Sequence, residues 1–387
     1  MAATNPTQTA KIARAKRAFQ TLNAQMNGAY LEKTAEIKIL QVALIAEEPV
    51  VFLGEAGIGK TAISKSFAKA LEYDANSLGF YEYLLNRFTT PAELFGTVSL
   101  KKLRENDVYA INPAGKMPEA NVAFLDEIFK CNSATLNALL TILNEREFDN
   151  GEGRVSVPLE LCIGASNEMP EEDCGLEPLW DRFVLRYWSD DIAREDSFLS
   201  LLTGEGIGKV DEGIVSREDI ATLRELRDQV DINSVLPVFL ELRTALKEKA
   251  IRVSSRRWRK AMRCVKAAAA LAGRNRAVPS DCQVLAAVLW DQPDQCGAIN
   301  ALLAKYAPQG DKDAIRNLDA ARELNSTVSA RSSLPQIGKA KAGLVEILNE
   351  LNALEDTDTV IECREQVKGW LAGIERTVLA AVRTKRR

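Results

Sequence analysis

Three short apolar runs in the first half of the chain each end in a polar or glycine-rich word. Residues 49–53 (Pro-Val-Val-Phe-Leu) run into Gly54, Glu55, Ala56, Gly57, Ile58, Gly59, Lys60 and Thr61, and an amphipathic stretch follows from Ala62 to Leu71. A β-branched run, a glycine loop and a 3.6-residue period, in that order, predict strand, turn and helix. Residues 122–125 (Val-Ala-Phe-Leu) end in Asp126 and Glu127, and residues 159–165 end in Ser166, Asn167 and Glu168. Beyond Asp190 the strand pattern stops, and helical spacing predicts helices over residues 217–229, 236–249, 255–273 and 279–289. Three more are predicted over 312–330, 337–354 and 359–383, with a breaker at Leu334-Pro335. Leu344, Ile347, Leu348 and Leu351, then Val367, Leu371 and Ile374, carry the apolar stripes of the last two. An antiparallel bundle suits them.

The first run has the context a phosphate-binding loop needs. Glycines at 54, 57 and 59 let the backbone turn its N–H groups inward, and the following helix directs its positive end at the same anion. In the spacing GxxxxGKT, Lys60 would bridge the β- and γ-phosphates of a nucleotide, and Thr61 would give its hydroxyl to Mg²⁺. The loop from Gly54 to Thr61 and the next residue, Ala62, form the expected ATP contact. Asp126 and Glu127 would stand at the C-terminal edge of a parallel sheet, where open α/β folds bind ligands. Asp126 would hold the metal's water shell and Glu127 would orient the attacking water. Asn167 reads either as a γ-phosphate sensor or as a turn-forming Asn after a strand.

Composition narrows the chemistry. The 387 residues contain no histidine, so Ser-His-Asp triads, Cys-His pairs and histidine-ligated zinc are excluded. Cys131, Cys162, Cys174, Cys264, Cys282, Cys296 and Cys363 are scattered without a CxxC pair, which predicts reduced thiols. A net charge of -4 offers no bulk attraction to nucleic acid or anionic lipid. The polar, basic start of the chain is unlike a signal peptide and no stretch is apolar enough for a bilayer span, so a cytoplasmic enzyme is expected. Gly204, Gly206 and Gly208 read as a connector, because no Lys-Thr pair completes a second phosphate loop.

Taken in order, the phosphate loop, Phe124-Leu125-Asp126-Glu127, Asn144-Glu145-Arg146, Ala165-Ser166-Asn167-Glu168, Leu179-Trp180-Asp181-Arg182-Phe183 and Ser254-Ser255-Arg256-Arg257-Trp258 resemble the MoxR group of AAA+ ATPases, closest to its regulatory ATPase variant A (RavA) branch. The resemblance spans about residues 28–290 and implies an α/β fold: an AAA+ P-loop αβα sandwich with a parallel sheet, then an all-α lid and a C-terminal helical bundle. The expected domains are a helical extension over 1–27, the nucleotide-binding domain over 28–190, the lid over 191–290 and a C-terminal, three-helix domain over 291–387. Arg182 matches the family's arginine finger, given to the neighbouring subunit's ATP site, with Arg186 as the rival. Arg256 matches the sensor 2 arginine, reaching the γ-phosphate of its own subunit, with Arg257 as the alternative. The implied machine is a homo-oligomeric ring, most often hexameric, that remodels a protein client together with a von Willebrand factor A (vWA) domain protein. Residues 87–121, with alternation suggesting a hairpin that interrupts a helix, and a hairpin over 147–157 would face the pore or partner. The basic run between Ile251 and Val278 leaves a nucleic-acid motor as the second reading, weakened by the lack of an aromatic platform.

Overall fold

A computed structural model of the chain describes residues 6–74, 77–170, 175–328, 334–354 and 357–384; Cys174 and the end of the helix expected over 312–330 lie outside them. The chain opens with helices α1 (Pro6–Ala29) and α2 (Thr34–Ala46), followed by β1 (Val50–Leu53), α3 (Lys60–Lys69) and β2 (Leu78–Leu84). A first insertion holds α4 (Pro91–Phe95), β3 (Thr97–Val98), α5 (Leu100–Asn106) and β4 (Ile111–Asn112). Then come β5 (Ala120–Asp126), α6 (Ser133–Glu145), β6 (Glu147–Asp149), β7 (Arg154–Ser156), β8 (Leu161–Ser166), α7 (Glu177–Arg182) and β9 (Leu185–Trp188). Helices α8 (Glu195–Thr203), α9 (Arg217–Gln229), α10 (Leu236–Glu248), α11 (Ser255–Leu271) and α12 (Cys296–Ala304) complete a first compact unit, which ends at Ala304.

Five strands form one parallel sheet in the order β2-β5-β8-β1-β9. All residues of β1 and β8 are buried, because helices cover both faces and leave no solvated side for polar alternation. Gly164 in β8 is set by packing: a Cβ there would come within 2.9 Å of the Phe183 ring. The fold is thus an AAA+ α/β sandwich followed by a helical lid.

The N-terminal helix packs on the helical region that follows the sheet. Helix α1 lies on α9, burying Phe19, Leu22 and Met26, and Arg14 reaches Asp219 at 2.9 Å and Glu218 at 2.8 Å. Helices α2 and α9 pack against α11. Residues 279–287 depart from the expected α-helix and wind as 3₁₀ turns, where Asp281 accepts from the Val278 N–H at 2.8 Å and pairs with Arg274. Helix α12 rests on that segment, with Ile299 and Leu303 buried, so helical packing continues beyond residue 290 and the second compact unit begins at Lys305.

That second unit comprises α13 (Gln309–Ser326), α14 (Leu334–Asn352) and α15 (Asp358–Thr384), packed pairwise. Its core includes Ala314, Ala321, Leu344, Leu351, Val360 and Val367. Leu334-Pro335, read as a breaker, opens α14, as expected of proline in a first helical turn.

Candidate active site

Strand β1 ends at Leu53, and residues 54–59 turn into α3 with Gly54, Gly57 and Gly59 at φ 136°, 89° and 92°. The three glycines serve different ends. A Cβ on Gly54 would lie 2.2 Å from the Ser189 carbonyl at the end of β9, whereas Gly57 and Gly59 face open space and are needed for the left-handed turn. Lys60 begins α3 and is buried. Its ammonium donates to the Gly54 carbonyl, to Glu55 O at 2.9 Å and to Asn167 Oδ1 at 2.9 Å. All three acceptors are neutral oxygens. A buried cation so held, inside a glycine turn at a helix N-terminus, fits an anionic ligand such as the phosphates of ATP.

The carboxylates arrive on β5. Asp126 closes the strand, and its Oδ1 accepts from the Glu127 N–H at 3.0 Å. Glu127 adopts the left-handed conformation (φ 52°, ψ 44°) and caps a 3₁₀ turn over Ile128–Lys130. Such a conformation costs a non-glycine residue about 1–3 kcal/mol and marks places where the surrounding structure fixes the chain. Here it breaks the strand's alternation, so consecutive carboxylates serve one edge. Asn167, just past β8, donates from Nδ2 to Glu127 Oε1 at 2.7 Å, and Lys130 stands 3.2 Å from Glu127 Oε2. Lys60, Asn167 and Glu127 are therefore one hydrogen-bonded chain. Burial pushes the Lys60 ammonium below its ordinary value against the pull of Asp126 and Glu127, with Lys33 adding repulsion. Burial raises Asp126, against the hydrogen bond from the Glu127 N–H and with some help from the Glu127 carboxylate. Thr61 lies next in α3, half-exposed, and Asp126 and Thr61 are the residues suited to a Mg²⁺.

The arginines lie elsewhere. The amides of Val184 and Leu185 face Pro49 O at 3.2 and 3.3 Å, so the α7–β9 junction sits at the N-terminal edge of the sheet. The phosphate loop is at the other edge, roughly 10 Å away by the rise of β1. Arg257, at the start of α11, is buried and donates to Val288 O at 3.0 Å, Asp181 O at 3.4 Å and Val184 O at 3.5 Å. Its neighbour Arg256 is half-exposed and stands 3.9 Å from Asp181 Oδ2; Arg182 is 3.8 Å from the same oxygen. The structure thus gathers Arg182 and Arg256 around the Asp181 carboxylate at the end of α7. Arg182 Nε is buried without an acceptor, and burial together with Arg256 lowers its pKa. Arg186, by contrast, is fully enclosed: it donates to Phe183 O, Trp290 O, Trp180 O and Asp291, with its guanidinium 3.7 Å from the Trp180 ring centre. It bolts the lid's end to β9 and leaves Arg182 as the finger candidate.

Three of the nine basic residues between Ile251 and Val278 form close ion pairs within the chain. Lys260 pairs with Glu48 at 2.8 Å, Arg263 with Glu47, and Arg274 with Asp281 at 2.5 Å. The two insertions brace each other: Ile111 N–H donates to Asn150 O at 2.7 Å, and Lys102 pairs with Glu152. Thr97–Val98 and Ile111–Asn112 pair antiparallel around α5, so the helix lies within the hairpin, not the hairpin within a helix. A cavity of about 620 Å³ opens between them, lined by Phe95, Ile111, Ile142 and Phe148 among others.

Sequence reading missed the support beneath the loop. Buried Lys33 donates to Ser189 Oγ at 3.1 Å and to Asp190 O, and stands 3.3 Å from Glu36. The available signal was a Lys and a Glu three residues apart at the start of an otherwise apolar helix.

An AAA+ sandwich with a lid, a phosphate loop and two carboxylates at the strand ends defines a nucleotide-dependent ATPase class. The chain belongs to the MoxR family of AAA+ ATPases: the family model for the MoxR domain of MoxR-vWA-β-propeller ternary systems matches residues 17–228, and one for an AAA lid domain matches 234–303. Two uncharacterized proteins of Methanocaldococcus jannaschii are 35% identical over 289 residues and 34% identical over 300, each match covering 75% of this chain and 76% of the relative. The crystal structure of a candidate ATPase from Cytophaga hutchinsonii shares the fold at TM-score 0.61 and 18% identity, covering 76% of this chain and 96% of that one. Among the described residues no helix is long and apolar enough to cross a membrane.

Proposed function

We propose that the chain hydrolyses ATP with Mg²⁺ as an oligomeric ring, most simply a hexamer, in the cytoplasm, and uses the resulting shape change to remodel a partner protein complex. The observation that carries this is the bonded chain from Lys60 through Asn167 to Glu127 at the C-terminal sheet edge. Lys60 and the loop amides bind the phosphates, while Thr61 and Asp126 hold the metal. Mg²⁺, when bound, neutralises charge on the phosphate oxygens. Glu127 orients the attacking water and takes its proton, and Asn167 fixes the carboxylate's position.

Arg182 stands at the α7–β9 junction, at the sheet edge opposite the phosphate loop, which supports its role at the neighbouring subunit's site, with Arg256 as the sensor 2 arginine of its own subunit. Head-to-tail packing that presents this edge to the next nucleotide closes into a ring. The matched family model supports a vWA-domain partner and adds a β-propeller protein to it. The ordered sequence words favour a RavA-like assembly within that family. Pairing of Lys260, Arg263 and Arg274 with Glu48, Glu47 and Asp281 removes part of the lid's basic run from solvent and favours a protein client over nucleic acid.

The test is ATPase rate against protein concentration, with mass measured in ADP and in a slowly hydrolysed ATP analogue, for wild type and Arg182→Ala. Turnover that rises with assembly and disappears in the variant is expected. A stable monomer with concentration-independent turnover would remove the ring and the finger.

A further inference from the structure

The lid carries a surface that the nucleotide site leaves unused. Helix α10 buries Val238, Leu242 and Leu246 and turns Leu236, Leu240, Arg243 and Lys247 outward. Those four are spaced four, three and four apart, which is one stripe of a helix. Its N-terminal half is apolar, with Leu236 42% and Leu240 65% exposed. On its C-terminal half Arg243 and Lys247 join Arg252 and the Trp258 indole around a cavity of about 260 Å³ with no acidic side chain in its lining, while the exposed Glu241 and Glu248 lie off this stripe. Phe239 holds that indole, ring centre to ring centre at 5.7 Å.

Helix α8 has the complementary pattern. Ser197 is its buried residue, while Phe198, Leu199, Leu201 and Leu202 are 48–66% exposed. Glu195 and Asp196 form an acidic first turn, preceded by exposed Asp190 and Asp191. An acidic start and an apolar end, read antiparallel, match a cationic end and an apolar start.

The two surfaces also lie at opposite edges of the sheet. Helix α8 follows β9 on the phosphate-loop side, where Ser189 borders Gly54 and Lys33 holds Asp190 O. Arg252, Val253 and Trp258, which line the α10–α11 cavity, bracket Arg256 in the chain, and Arg256 shares the Asp181 carboxylate with Arg182. In a head-to-tail ring, the face that carries Arg182 meets the neighbour's nucleotide side.

We infer that α8 of one subunit lies antiparallel along α10 of the next, with Glu195 and Asp196 over Arg243 and Lys247, and Leu199 and Leu202 over Leu236 and Leu240. The occupant of the lid's cationic cavity is thus a second copy of this chain, and the inference rests on the ring reading above. Such a contact is heterologous, so it adds to ring closure without limiting assembly to a dimer.

The test measures assembly mass against protein concentration in Mg²⁺ and a slowly hydrolysed ATP analogue. Glu195→Lys with Asp196→Lys, and separately Arg243→Glu with Lys247→Glu, should each raise the half-assembly concentration by about tenfold or more, as loss of a few charge pairs implies. The chain carrying all four changes should assemble like wild type, because the pairs are restored in reverse. An equimolar mixture of Leu202→Cys and Leu240→Cys chains should form a disulfide between subunits under mild oxidation. Intact rings in both reversed variants, or no rescue in the combined one, overturn the contact alone. A wild-type chain that never assembles overturns the ring reading with it. Salt-sensitive DNA binding that Arg243→Glu with Lys247→Glu abolishes, with assembly unchanged, would make nucleic acid the occupant and overturn the contact as well.

Discussion

Asn167 donates to Glu127 Oε1 at 2.7 Å while its own carbonyl oxygen accepts from the Lys60 ammonium at 2.9 Å. Because the Lys can only donate, the amide's orientation is fixed and its NH₂ must face the carboxylate. The residue that reads as a phosphate sensor is thereby also the group that positions the base.

Two substitutions separate those roles. Glu127→Gln keeps the size and a hydrogen bond to Asn167 but removes the proton acceptor, so turnover should fall by about 10²–10⁴ while ATP still binds. Lys60→Ala should instead lose ATP affinity. Nucleotide binding by fluorescence and single-turnover hydrolysis distinguish them, and undiminished turnover in Glu127→Gln would place the base elsewhere.

Arg182 and Arg186 lie four residues apart and should behave oppositely. Removing Arg186 leaves the carbonyls of Trp180, Phe183 and Trp290 without their donor in a buried site, so Arg186→Ala should cost at least about 3 kcal/mol of stability. Arg182 makes one long ion pair with Asp181 and one long hydrogen bond to Pro178 O at 3.4 Å, and should cost less than about 1 kcal/mol when replaced. Its loss should nonetheless lower turnover by about 10³–10⁵, the scale of an arginine finger. Rescue in mixed assemblies checks donation between subunits: Arg182→Ala and Glu127→Gln chains, each inactive alone, should recover activity together.

This contrast shows what the sequence carried and what it did not. The glycine turn from β1 into α3, the strand ending at Asp126, and the helices expected over 217–229 and 236–249 and found over 217–229 and 236–248 were legible because local periodicity and turn chemistry specify them. Which arginine is locked by short hydrogen bonds was not legible. Arg182 and Arg186 look alike in sequence, and only the return of Trp290 and Asp291 onto β9 buries one and spares the other. Arg256 and Arg257 pose the same problem, solved by which side of α11 meets Val184 and Val288. Lys33 escaped notice because its partners, Ser189 and Asp190, are more than 150 residues away.

Gly151 should be the least replaceable residue of the 147–157 hairpin. It sits at φ 88°, and a Cβ there would lie 2.3 Å from the Tyr109 carbonyl of the other insertion. Gly151→Ala should therefore part the two insertions and break the bond from Ile111 N–H to Asn150 O. Hydrogen exchange would register this as faster exchange at Ile111, with the amides of β1 and β8 unchanged; protection at Ile111 equal to wild type would mean the insertions are not braced there.

The acid limit of stability should run through Glu47. It ends α2 in a left-handed conformation, and its carboxylate accepts from Arg227 at 2.7 Å and from Arg263, with Arg224 at 3.9 Å. Burial by itself would raise this carboxyl, yet the three guanidinium groups hold it below the ordinary carboxylate value. A carboxylate depressed in the folded state contributes stability that is fully present above the unfolded-state pKa and is lost as pH falls through the folded one. Glu47→Gln should consequently lower the melting temperature at neutral pH, and the two curves should converge as the solution is acidified below the ordinary carboxylate range. Parallel melting curves across that window would show that the arginines around Glu47 do not couple its ionisation to folding.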